Sequence, residues 1–476
     1  MRTTRSISAV TMLVLAGILC LAGPVSSQQG ETDPLVLEKL EWFQDLKFGL
    51  LMHWGPYSQW EVVESWSICP EDENWCERRG PYARDYYGYK RAYEDLKSSF
   101  NPVKFDPDSW AAAAKDAGMR YVIFTTKHHD GFCMFDTKET DYKITDPGCP
   151  FSSNPRSNVT KEIFDAFRRY GFGIGAYFSK PDWHSPEYWW PYFPPFDRNV
   201  NYDIKKYPEK WTAFKTFTFN QIQELMSGYG SVDILWLDGG WVQPMTSTSP
   251  RWGKNPTDQN IDMPKIAAMA RSLQPGLIIV DRTVEGRYQN YRTPEQEIPE
   301  RPPDYIWETC MTMATSWSYV STDTYKPAWK LIHILVNIVA KGGNLLLNIG
   351  PSPEGELPPE SLQRLGELGR WMRVNGSALY STRAITPYTE DKICFTRTPD
   401  GAINAIYLAD EDENQPPEEV RISSFAPKRG STVMMLGVQV PVTWEKSGPG
   451  FVIHVPDSVR AHPPCSYAWA FRFMVE

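Results

Sequence analysis

The sequence predicts a (β/α) barrel of the TIM type followed by an all-β sandwich domain. Short β-rich runs alternate with helical patterns up to about residue 350, and these runs are apolar along almost their whole length. Only strand-like segments follow residue 384. Repeated strand–helix alternation is typical of a parallel sheet with helical connections. We expect a signal peptide over 1–27, the barrel over 28–383 and the sandwich over 384–476.

The composition is that of a large globular protein. Hydrophobic residues make up 41% and charged residues 22% of the 476 positions, which excludes disordered, collagen-like and coiled-coil chains. Asp and Glu total 58 against 49 Lys and Arg, which gives a formal net charge of -9. Because the sequence has no compact basic run, nucleic acid is not expected as a partner.

The first 27 residues have the pattern of a secretory signal peptide. Arg2 and Arg5 precede an apolar stretch over 10–22, and Pro24 and small residues follow up to Ser27. We therefore expect an exported protein, periplasmic or extracellular in a bacterium and lysosomal in a eukaryote. No later run of the sequence approaches the ~20 apolar residues of a membrane span.

Seven cysteines follow the signal peptide, an odd number spread over the whole chain. This distribution is not that of a disulfide scaffold, and the sequence has no C-x-x-C pair for a zinc ribbon. Cys69 and Cys76 lie close enough in a polar loop to form a disulfide, and the sequence leaves that pairing open.

Six strands are predicted from apolar runs at 48–52, 121–126, 172–178, 232–237, 277–280 and 344–349. The helical patterns between them have recognisable ends. One begins at Asp106-Pro107 and ends at Gly118, the Pro-first and Gly-last order of helices. Strands that are apolar throughout belong to a sheet covered on both faces, either a barrel or a doubly wound sheet. No glycine-rich phosphate loop follows a predicted strand, which favours the barrel.

The C-terminal part has a different pattern. Aromatic residues alternate at period two from Tyr467 to Phe473, and further short β-rich runs lie at 403–408, 433–436 and 451–455. Gly and Pro separate these runs. The pattern predicts a compact β-sandwich, which we expect to brace the barrel.

Polar and aromatic side chains gather at the predicted strand ends. They are His53, His128, His129, Tyr177, Trp236, Asp238 and Arg282. The reactive residues of a barrel lie at the carboxyl ends of its strands. Hydrogen-bonding groups beside flat aromatic faces suit a small polyhydroxylated ring. A carboxylate such as Asp238, flanked by glycines and a Trp, suits attack on an electrophilic carbon.

The segment 181–196 reads PDWHSPEYWWPYFPPF and is dense in proline and aromatic residues. It is typical either of an exposed wall on which a sugar stacks or of a packed loop. The sequence leaves these two interpretations open.

Six motifs together resemble the α-L-fucosidases of glycoside hydrolase family 29. They are FGLLMHWGPYS (48–58), TTKHHDGFCMFD (125–136), WLDGGW (236–241), TPEQ (293–296), WETCMT (307–312) and GGNLLLNIGP (342–351). The resemblance implies a (β/α) barrel with a C-terminal β-sandwich. It also implies exo-acting, retaining hydrolysis of terminal α-linked L-fucose from a fucosylated oligosaccharide or glycoconjugate, without a metal or another cofactor.

The resemblance also implies roles for single residues. The Asp of the W-x-D-G motif, here Asp238, is the nucleophile in that family. The residues that match the family's fucose-binding positions are His53, His128, His129, Tyr177, Trp236 and Arg282. The family's Glu–Trp pair after the first strand is one residue wider in this chain, where it matches Glu64 and Trp66.

The acid/base residue is the least fixed of the family's positions in sequence. Glu285, Glu295, Glu297, Glu300 and Glu308 all lie near the expected distance after the nucleophile. Glu295 is preferred because TPEQ most resembles the family's acid/base loop, and Glu297 is the alternative. Glu308 lies in an apolar, strand-like stretch and is expected to support the site.

Two other functions are compatible with the same residues. His53, His128, His129, Asp130 and Asp238 are potential metal ligands in a barrel hydrolase of the amidohydrolase kind. The adjacency of His128 and His129 argues against this, because neighbours on a strand point to opposite faces. The second alternative is a fucose-binding protein without catalytic activity, and the intact Asp238 argues against it.

Overall fold

The computed structural model describes residues 30–70, 76–247, 249, 251 and 257–475. The predicted signal peptide over 1–27 lies outside these residues. The predicted boundary between residues 383 and 384 stays a prediction. The predicted fold class is confirmed: a curled parallel sheet surrounded by helices is followed by two antiparallel sheets.

Seven parallel strands form the larger sheet, in the order β5-β4-β3-β2-β1-β7-β6. They are β1 Phe48–Met52, β2 Tyr121–Lys127, β3 Gly173–Ser179, β4 Ile234–Asp238, β5 Ile278–Asp281, β6 Glu308–Thr312 and β7 Asn344–Ile349. Nearly every strand residue is buried, because side chains on one face fill the interior of the curled sheet and those on the other face meet the helices.

Eight helices accompany this sheet. They are α1 Pro34–Leu46, α2 Tyr86–Glu94, α3 Pro107–Asp116, α4 Val159–Arg169, α5 Pro208–Gly228, α6 Met263–Leu273, α7 Ala328–Ala340 and α8 Pro359–Asn375. Pro107, Pro208 and Pro359 each occupy the first helical position, where the missing N–H is of no consequence. The apolar face of α4, with Ile163 and Phe167, is buried against the sheet.

The structure differs from the predicted strands mainly at their carboxyl ends. Asp238 and Asp281 are the last residues of β4 and β5 rather than the residues that follow them. Strand β6 was not among the six predicted strands. Its sequence ETCMT has two polar threonines and a glutamate, so the apolar-run criterion does not detect it.

The edge strands β5 and β6 do not pair with each other, and the segment over 288–296 lies between them. The amide of Asn290 donates to the carbonyl of Ile279 in β5 at 2.9 Å. On the other side, the amide of Glu308 in β6 donates to the carbonyl of Arg292 at 2.9 Å. The irregular segment therefore forms backbone hydrogen bonds with both open edges of the sheet and takes the place of an eighth strand.

Two antiparallel sheets form the C-terminal part. The larger contains β8 Thr389–Glu390, β9 Ile393–Arg397, β10 Ile403–Leu408, β12 Met434–Met435 and β15 Ala468–Phe473, and the smaller contains β11 Glu419–Ile422, β13 Thr443–Ser447 and β14 Gly450–His454. A short helix, α9 Asp457–Ala461, follows β14. Phe395, Phe451 and Phe471 belong to one core that joins both sheets. The indole of Trp371 in α8 donates to the carbonyl of Ala468 at 2.9 Å, which fastens the larger sheet to the barrel helices.

Among the described residues, no disulfide joins Cys69 to Cys76, the pairing that the sequence left open. Among the helices of the described residues, none combines the length and the apolar character needed to cross a bilayer.

The approach of β1 to β2 generates a testable prediction. A Cβ atom at Gly49 would lie 2.3 Å from the ring of Tyr121, which is buried and donates a hydrogen bond to Glu308 Oε2 at 2.6 Å. We expect Gly49→Ala to destabilise the protein by about 1–3 kcal/mol, because the tethered ring cannot move aside. Thermal unfolding measures the change.

Gly228→Ala is the matched control, since a Cβ at this helical position meets no atom within 4 Å. It should leave the melting temperature unchanged or raise it slightly, because alanine favours helix. Equal melting temperatures for the Gly49→Ala and wild-type proteins would contradict the packing described for β1.

Candidate active site

A cavity of about 690 Å³ lies at the carboxyl ends of the parallel strands. All ten residues proposed from the sequence line it: His53, Glu64, Trp66, His128, His129, Tyr177, Trp236, Asp238, Arg282 and Glu295. They come from positions between 53 and 295 of the chain. The alternative acid/base, Glu297, is exposed and does not line the cavity.

Asp238, the last residue of β4, accepts hydrogen bonds from two side chains and lies near a third. Its Oδ2 accepts a hydrogen bond from the Tyr177 hydroxyl at 2.7 Å, and its Oδ1 accepts one from Arg282 at 3.0 Å. His129 Nε2 lies 3.8 Å from Oδ2. Burial alone would raise the pKa of Asp238, but the Arg282 charge, His129 and Tyr177 outweigh it and hold that pKa far below its usual range. Asp238 is therefore ionised.

The turn after Asp238 requires glycine. Gly239 has φ +88°, and a Cβ atom there would lie 2.3 Å from Cδ of Pro181. No other residue adopts this conformation at so little cost, which explains the glycine that follows the aspartate in the WLDGGW motif.

Glu295 lies on the irregular segment between β5 and β6, where it forms an isolated bridge with Cys310 of β6. Its Oε2 accepts hydrogen bonds from Arg282 at 2.6 Å and from Arg251 at 2.5 Å. Burial would raise the pKa of Glu295, but the two guanidinium groups lower it below its usual range. Glu295 is therefore ionised.

Arg282 joins the two carboxylates. One terminal nitrogen binds Asp238, the other binds Glu295, and the Nε atom donates to the Thr293 hydroxyl at 3.3 Å. The guanidinium carbon also lies 4.9 Å from the centre of the Trp236 ring. The buried guanidinium of Arg282 thus holds the carboxylates of Asp238 and Glu295 close together, because its two terminal nitrogens bind one carboxylate each.

Two histidines offer acceptor nitrogens to the cavity. Asn348 donates through Nδ2 to a backbone carbonyl at 2.6 Å, so its Oδ1, 2.8 Å from His53 Nδ1, accepts the proton of that ring nitrogen. Ser179 donates its hydroxyl to a carbonyl at 2.9 Å and accepts from His129 Nδ1 at 2.5 Å. Burial lowers the pKa of both imidazoles to about 4, so each ring is neutral and its Nε2 is an acceptor.

His128 and His129 face the same cavity, with ring centres 4.3 Å apart. The expectation that they point to opposite faces is wrong because β2 ends at Lys127, so both residues lie in the turn beyond the strand. The Ser65 hydroxyl lies 2.5 Å from His128 Nδ1. Burial, followed by the two neighbouring histidines, holds the pKa of His128 well below its usual range.

Ligand atoms of His128, His129 and Asp238 lie within 4.8 Å of one another, close enough to hold a metal ion. Asp238 is, however, already neutralised by the Arg282 guanidinium at 3.0 Å. A metal cation would have to be placed beside that buried positive charge. The site therefore suits an ionised Asp238 paired with the Arg282 guanidinium better than a metal centre.

Glu64 begins a 3₁₀ helix, Glu64–Ile68, and is buried. Its φ of +32° is unusual for a residue with a side chain. Within the described chain its Oε1 has no hydrogen-bond partner. Burial raises the pKa of Glu64 well above its usual range, and the charges of Glu295 and Asp238 add to this. Glu64 is therefore protonated and is a potential hydrogen-bond donor to a ligand.

An aromatic floor supports the site. Tyr177 and Trp236 stack with ring centres 5.1 Å apart. Beneath them, Glu308 accepts hydrogen bonds from Tyr121 at 2.6 Å and from the Trp236 indole at 3.3 Å, and burial raises the pKa of Glu308 to about 7. Glu308 thus holds the floor in place rather than facing the cavity, as the sequence predicted.

The cavity lining also includes residues that were not proposed from the sequence, among them Arg198, Trp241, Arg251 and Trp317. Trp241 is part of the quoted WLDGGW motif, and Trp317 follows β6. The Trp66 ring lies 5.7 Å from the Trp241 ring, and the Arg198 guanidinium lies 5.1 Å from the Trp66 ring. No local pattern distinguishes Arg198 or Arg251, because their place at the site depends on long loops.

The comparisons with known proteins agree with this site. The α-L-fucosidase family model matches residues 25–377. Tissue α-L-fucosidase of Bos taurus is 28% identical over 461 residues, which cover 90% of this chain and 87% of that protein. α-L-Fucosidase isoenzyme 1 from Paenibacillus thiaminolyticus has a TM-score of 0.73 and 29% identity, covering 93% of this chain and 100% of that one.

The α-fucosidase of Thermotoga maritima, solved in complex with fucose, has a TM-score of 0.66 at 26% identity and covers 91% of this chain and 96% of that one. The family match extends over most of the chain and includes every residue that lines the cavity. The chain belongs to the α-L-fucosidase family of glycoside hydrolases.

Proposed function

We propose that this α-L-fucosidase is an exo-acting, retaining enzyme in which Asp238 is the nucleophile and Glu295 the acid/base. The observation that carries the proposal is the bridge through Arg282, which places an ionised Asp238 and Glu295 side by side in one cavity. Retaining glycosidases hold their two carboxyl groups about 5–5.5 Å apart, whereas inverting enzymes need about 6.5–9.5 Å to admit a water. One guanidinium spanning both groups suits the shorter separation.

In the first step, Asp238 attacks the anomeric carbon of fucose. The bond from that carbon to the departing oxygen breaks, and protonated Glu295 supplies a proton to this oxygen. In the second step, Glu295 removes a proton from water, and the resulting hydroxide displaces Asp238 from the fucosyl carbon. The two steps invert the configuration twice, so fucose leaves with its original α-configuration.

Fucose hydroxyls have complementary partners around the cavity. The neutral Nε2 atoms of His53 and His129 accept hydrogen bonds, and the protonated Glu64 donates one through its unpartnered carboxyl oxygen. The Trp236 and Trp317 rings provide apolar surface for the C–H face and the methyl group of the sugar. An inactive sugar-binding protein would not need an ionised carboxylate beside a second carboxylate.

The acid role requires Glu295 to gain a proton. Arg282 is buried, but the Arg251 side chain is 47% exposed and binds the same Glu295 oxygen. Arg251 is thus the contact that a substrate can displace when its leaving group approaches Glu295.

Replacing the nucleophile generates the first prediction for the reaction. Asp238→Ala should abolish hydrolysis of an aryl α-L-fucoside. Added azide should restore aryl release by entering the vacated space, and the product should be the β-L-fucosyl azide, with inverted configuration. Proton NMR of the azide product measures the configuration. Failure of the variant to lose activity would contradict the assignment of Asp238.

Replacing the acid/base gives a different pattern. Glu295→Ala should lower activity on a natural fucosylated glycan by roughly 10²–10⁴-fold, because its leaving group needs the proton. Activity on an aryl fucoside with a good leaving group should fall much less. Azide should give the α-L-fucosyl azide, since it attacks the covalent intermediate. Glu297→Ala is the matched control, and a larger loss in that variant would transfer the role to Glu297.

The Arg251 contact predicts a change in pH dependence. Arg251 lowers the pKa of Glu295, so Arg251→Met should raise that pKa. The acid form of Glu295 then persists to higher pH. The basic limb of kcat/KM against pH, measured on a substrate with a poor leaving group, should shift upward. Arg421→Met, at an exposed position of strand β11, is the control and should leave the profile unchanged. A downward shift for Arg251→Met would overturn this account of Glu295.

A further inference from the structure

The backbone turns directly after Glu295, at Gln296. Gln296 has φ +59°, which lies in the left-handed region that residues other than glycine rarely adopt. Its side chain is exposed, and the cavity lining does not include it. The reaction proposed above does not use this residue, although it ends the TPEQ motif.

The residues before the turn form an extended stretch that pairs in parallel with β6. Thr293 and Glu295 both contact Arg282, the former through its hydroxyl at 3.3 Å and the latter through Oε2 at 2.6 Å. In an extended chain, side chains two positions apart point to the same side. If the stretch continued unchanged beyond Glu295, the same alternation would bring Glu297 to the cavity.

The left-handed conformation of Gln296 ends this alternation. It changes the direction of the backbone between Glu295 and Glu297, so the two glutamates no longer share a side. Glu295 lines the cavity, whereas Glu297 is exposed. The conformation of one residue thus separates the glutamate that lines the cavity from the glutamate that faces solvent.

Three hydrogen bonds to β6 hold Gln296. Its backbone amide donates to the carbonyl of Cys310 at 3.0 Å. Its side-chain amide pairs with Thr312: Nε2 donates to Oγ1 at 3.0 Å, and the Thr312 backbone amide donates to Oε1 at 3.4 Å. A left-handed conformation is costly for a residue with a side chain and persists only where its surroundings stabilise it. The contacts with β6 provide this stabilisation.

Thr312 is itself held in one orientation. Its hydroxyl donates to the carbonyl of Ala314 at 2.7 Å, so the hydroxyl oxygen is an acceptor for the Gln296 amide. Lys326 Nζ donates to the carbonyl of Thr312 at 2.6 Å and to that of Ala314 at 2.8 Å. The acceptor for Gln296 is therefore fixed by contacts within the protein, and the direction of the Gln296 amide follows from it.

The Thr309 hydroxyl contacts both ends of the same turn. It lies 3.1 Å from the carbonyl oxygen of Pro294 and 2.8 Å from that of Glu297. The backbone before and after the turn is thus tied to one side chain of β6. Because these two ends are fixed, the conformation of Gln296 determines where the Glu295 side chain points.

We propose that Gln296 is a positioning residue for the acid/base: its left-handed conformation directs Glu295 to the departing oxygen and keeps Glu297 out of the cavity. The inference rests on the proposed function and adds to it the residue that selects one of two glutamates. This role is needed most when the leaving group displaces Arg251, because Glu295 then loses one of its two arginine contacts.

The test uses a variant that disfavours the left-handed conformation. Valine is β-branched and adopts positive φ only at high cost, so Gln296→Val should redirect Glu295. We expect its kcat/KM to fall roughly 10- to 100-fold on a fucoside with a poor leaving group, a share of what a general acid contributes. On an aryl fucoside with a good leaving group, kcat/KM should change by less than about 2-fold, because that bond breaks without proton transfer.

Two further variants separate positioning from folding. Gln296→Asn should retain kcat/KM on both substrates within about 3-fold, because asparagine adopts the left-handed conformation more readily than most residues. Asp391→Val is the matched control, since Asp391 has φ +50° in an exposed turn between β8 and β9. It introduces the same type of backbone strain away from the cavity and should leave both kcat/KM values unchanged. Thermal unfolding of each variant checks that the chain is folded.

A double substitution tests whether Gln296 acts through Glu295. In the Glu295→Ala background, Gln296→Val should cause no further loss on the substrate with the poor leaving group, because the carboxylate that it positions has been removed. Losses that multiply independently in the double variant would overturn the inference.

The outcomes separate the inference from the proposed function. If the effect of Glu295→Ala depends on the leaving group but Gln296→Val lowers activity on both substrates equally, or on neither, Gln296 is not a positioning residue. If Gln296→Val does not fold, Gln296→Ala takes its place in this comparison, with the same criteria. If Glu295→Ala itself shows no dependence on the leaving group, the assignment of Glu295 in the proposed function fails instead.

Discussion

The buried guanidinium of Arg282 is the group on which the arrangement of the catalytic cavity depends. It binds Asp238 and Glu295 through separate nitrogens and lies over the Trp236 ring. A buried cation needs anionic partners, and two adjacent carboxylates need a cation, so the three groups stabilise one another only together. The ionised state of Asp238 and the position of Glu295 both follow from this contact. The same contact makes the site a poor one for a metal ion, because the metal would lie beside the buried charge of Arg282.

The position of Glu295 also depends on how the parallel sheet is completed. Strands β5 and β6 leave two open edges, and the segment between them pairs irregularly with both. Unpaired edge groups are costly when buried, so the segment is held at these bonds even though it has no regular strand of its own. Glu295 is thus placed by the hydrogen-bonding requirement of the edges, while Asp238 is placed by a regular strand.

This difference explains which parts of the site were predictable. Asp238 and His53 follow apolar runs, so the pattern of strands located them correctly at one end of the barrel. Glu295 was chosen over Glu297 only through a family resemblance, and the structure separates them because one lines the cavity and the other is exposed. Strand β6 was not among the predicted strands, although the stretch around Glu308 was recognised as strand-like, because three of its five residues are polar. The orientation of His128 and His129 was predicted wrongly because β2 ends at Lys127, so both histidines lie in the turn that follows and not in the strand.

The amino-acid sequence alone was sufficient for the alternation of strands and helices, the family resemblance and the chemical types gathered at the strand ends, because these depend on local patterns. The charge states, the bridge through Arg282 and the contribution of Arg251 required the folded chain. Each of these depends on distances between residues that are far apart in the sequence. Each also depends on burial, which changes the free energy of a charged group and cannot be deduced from a local sequence pattern.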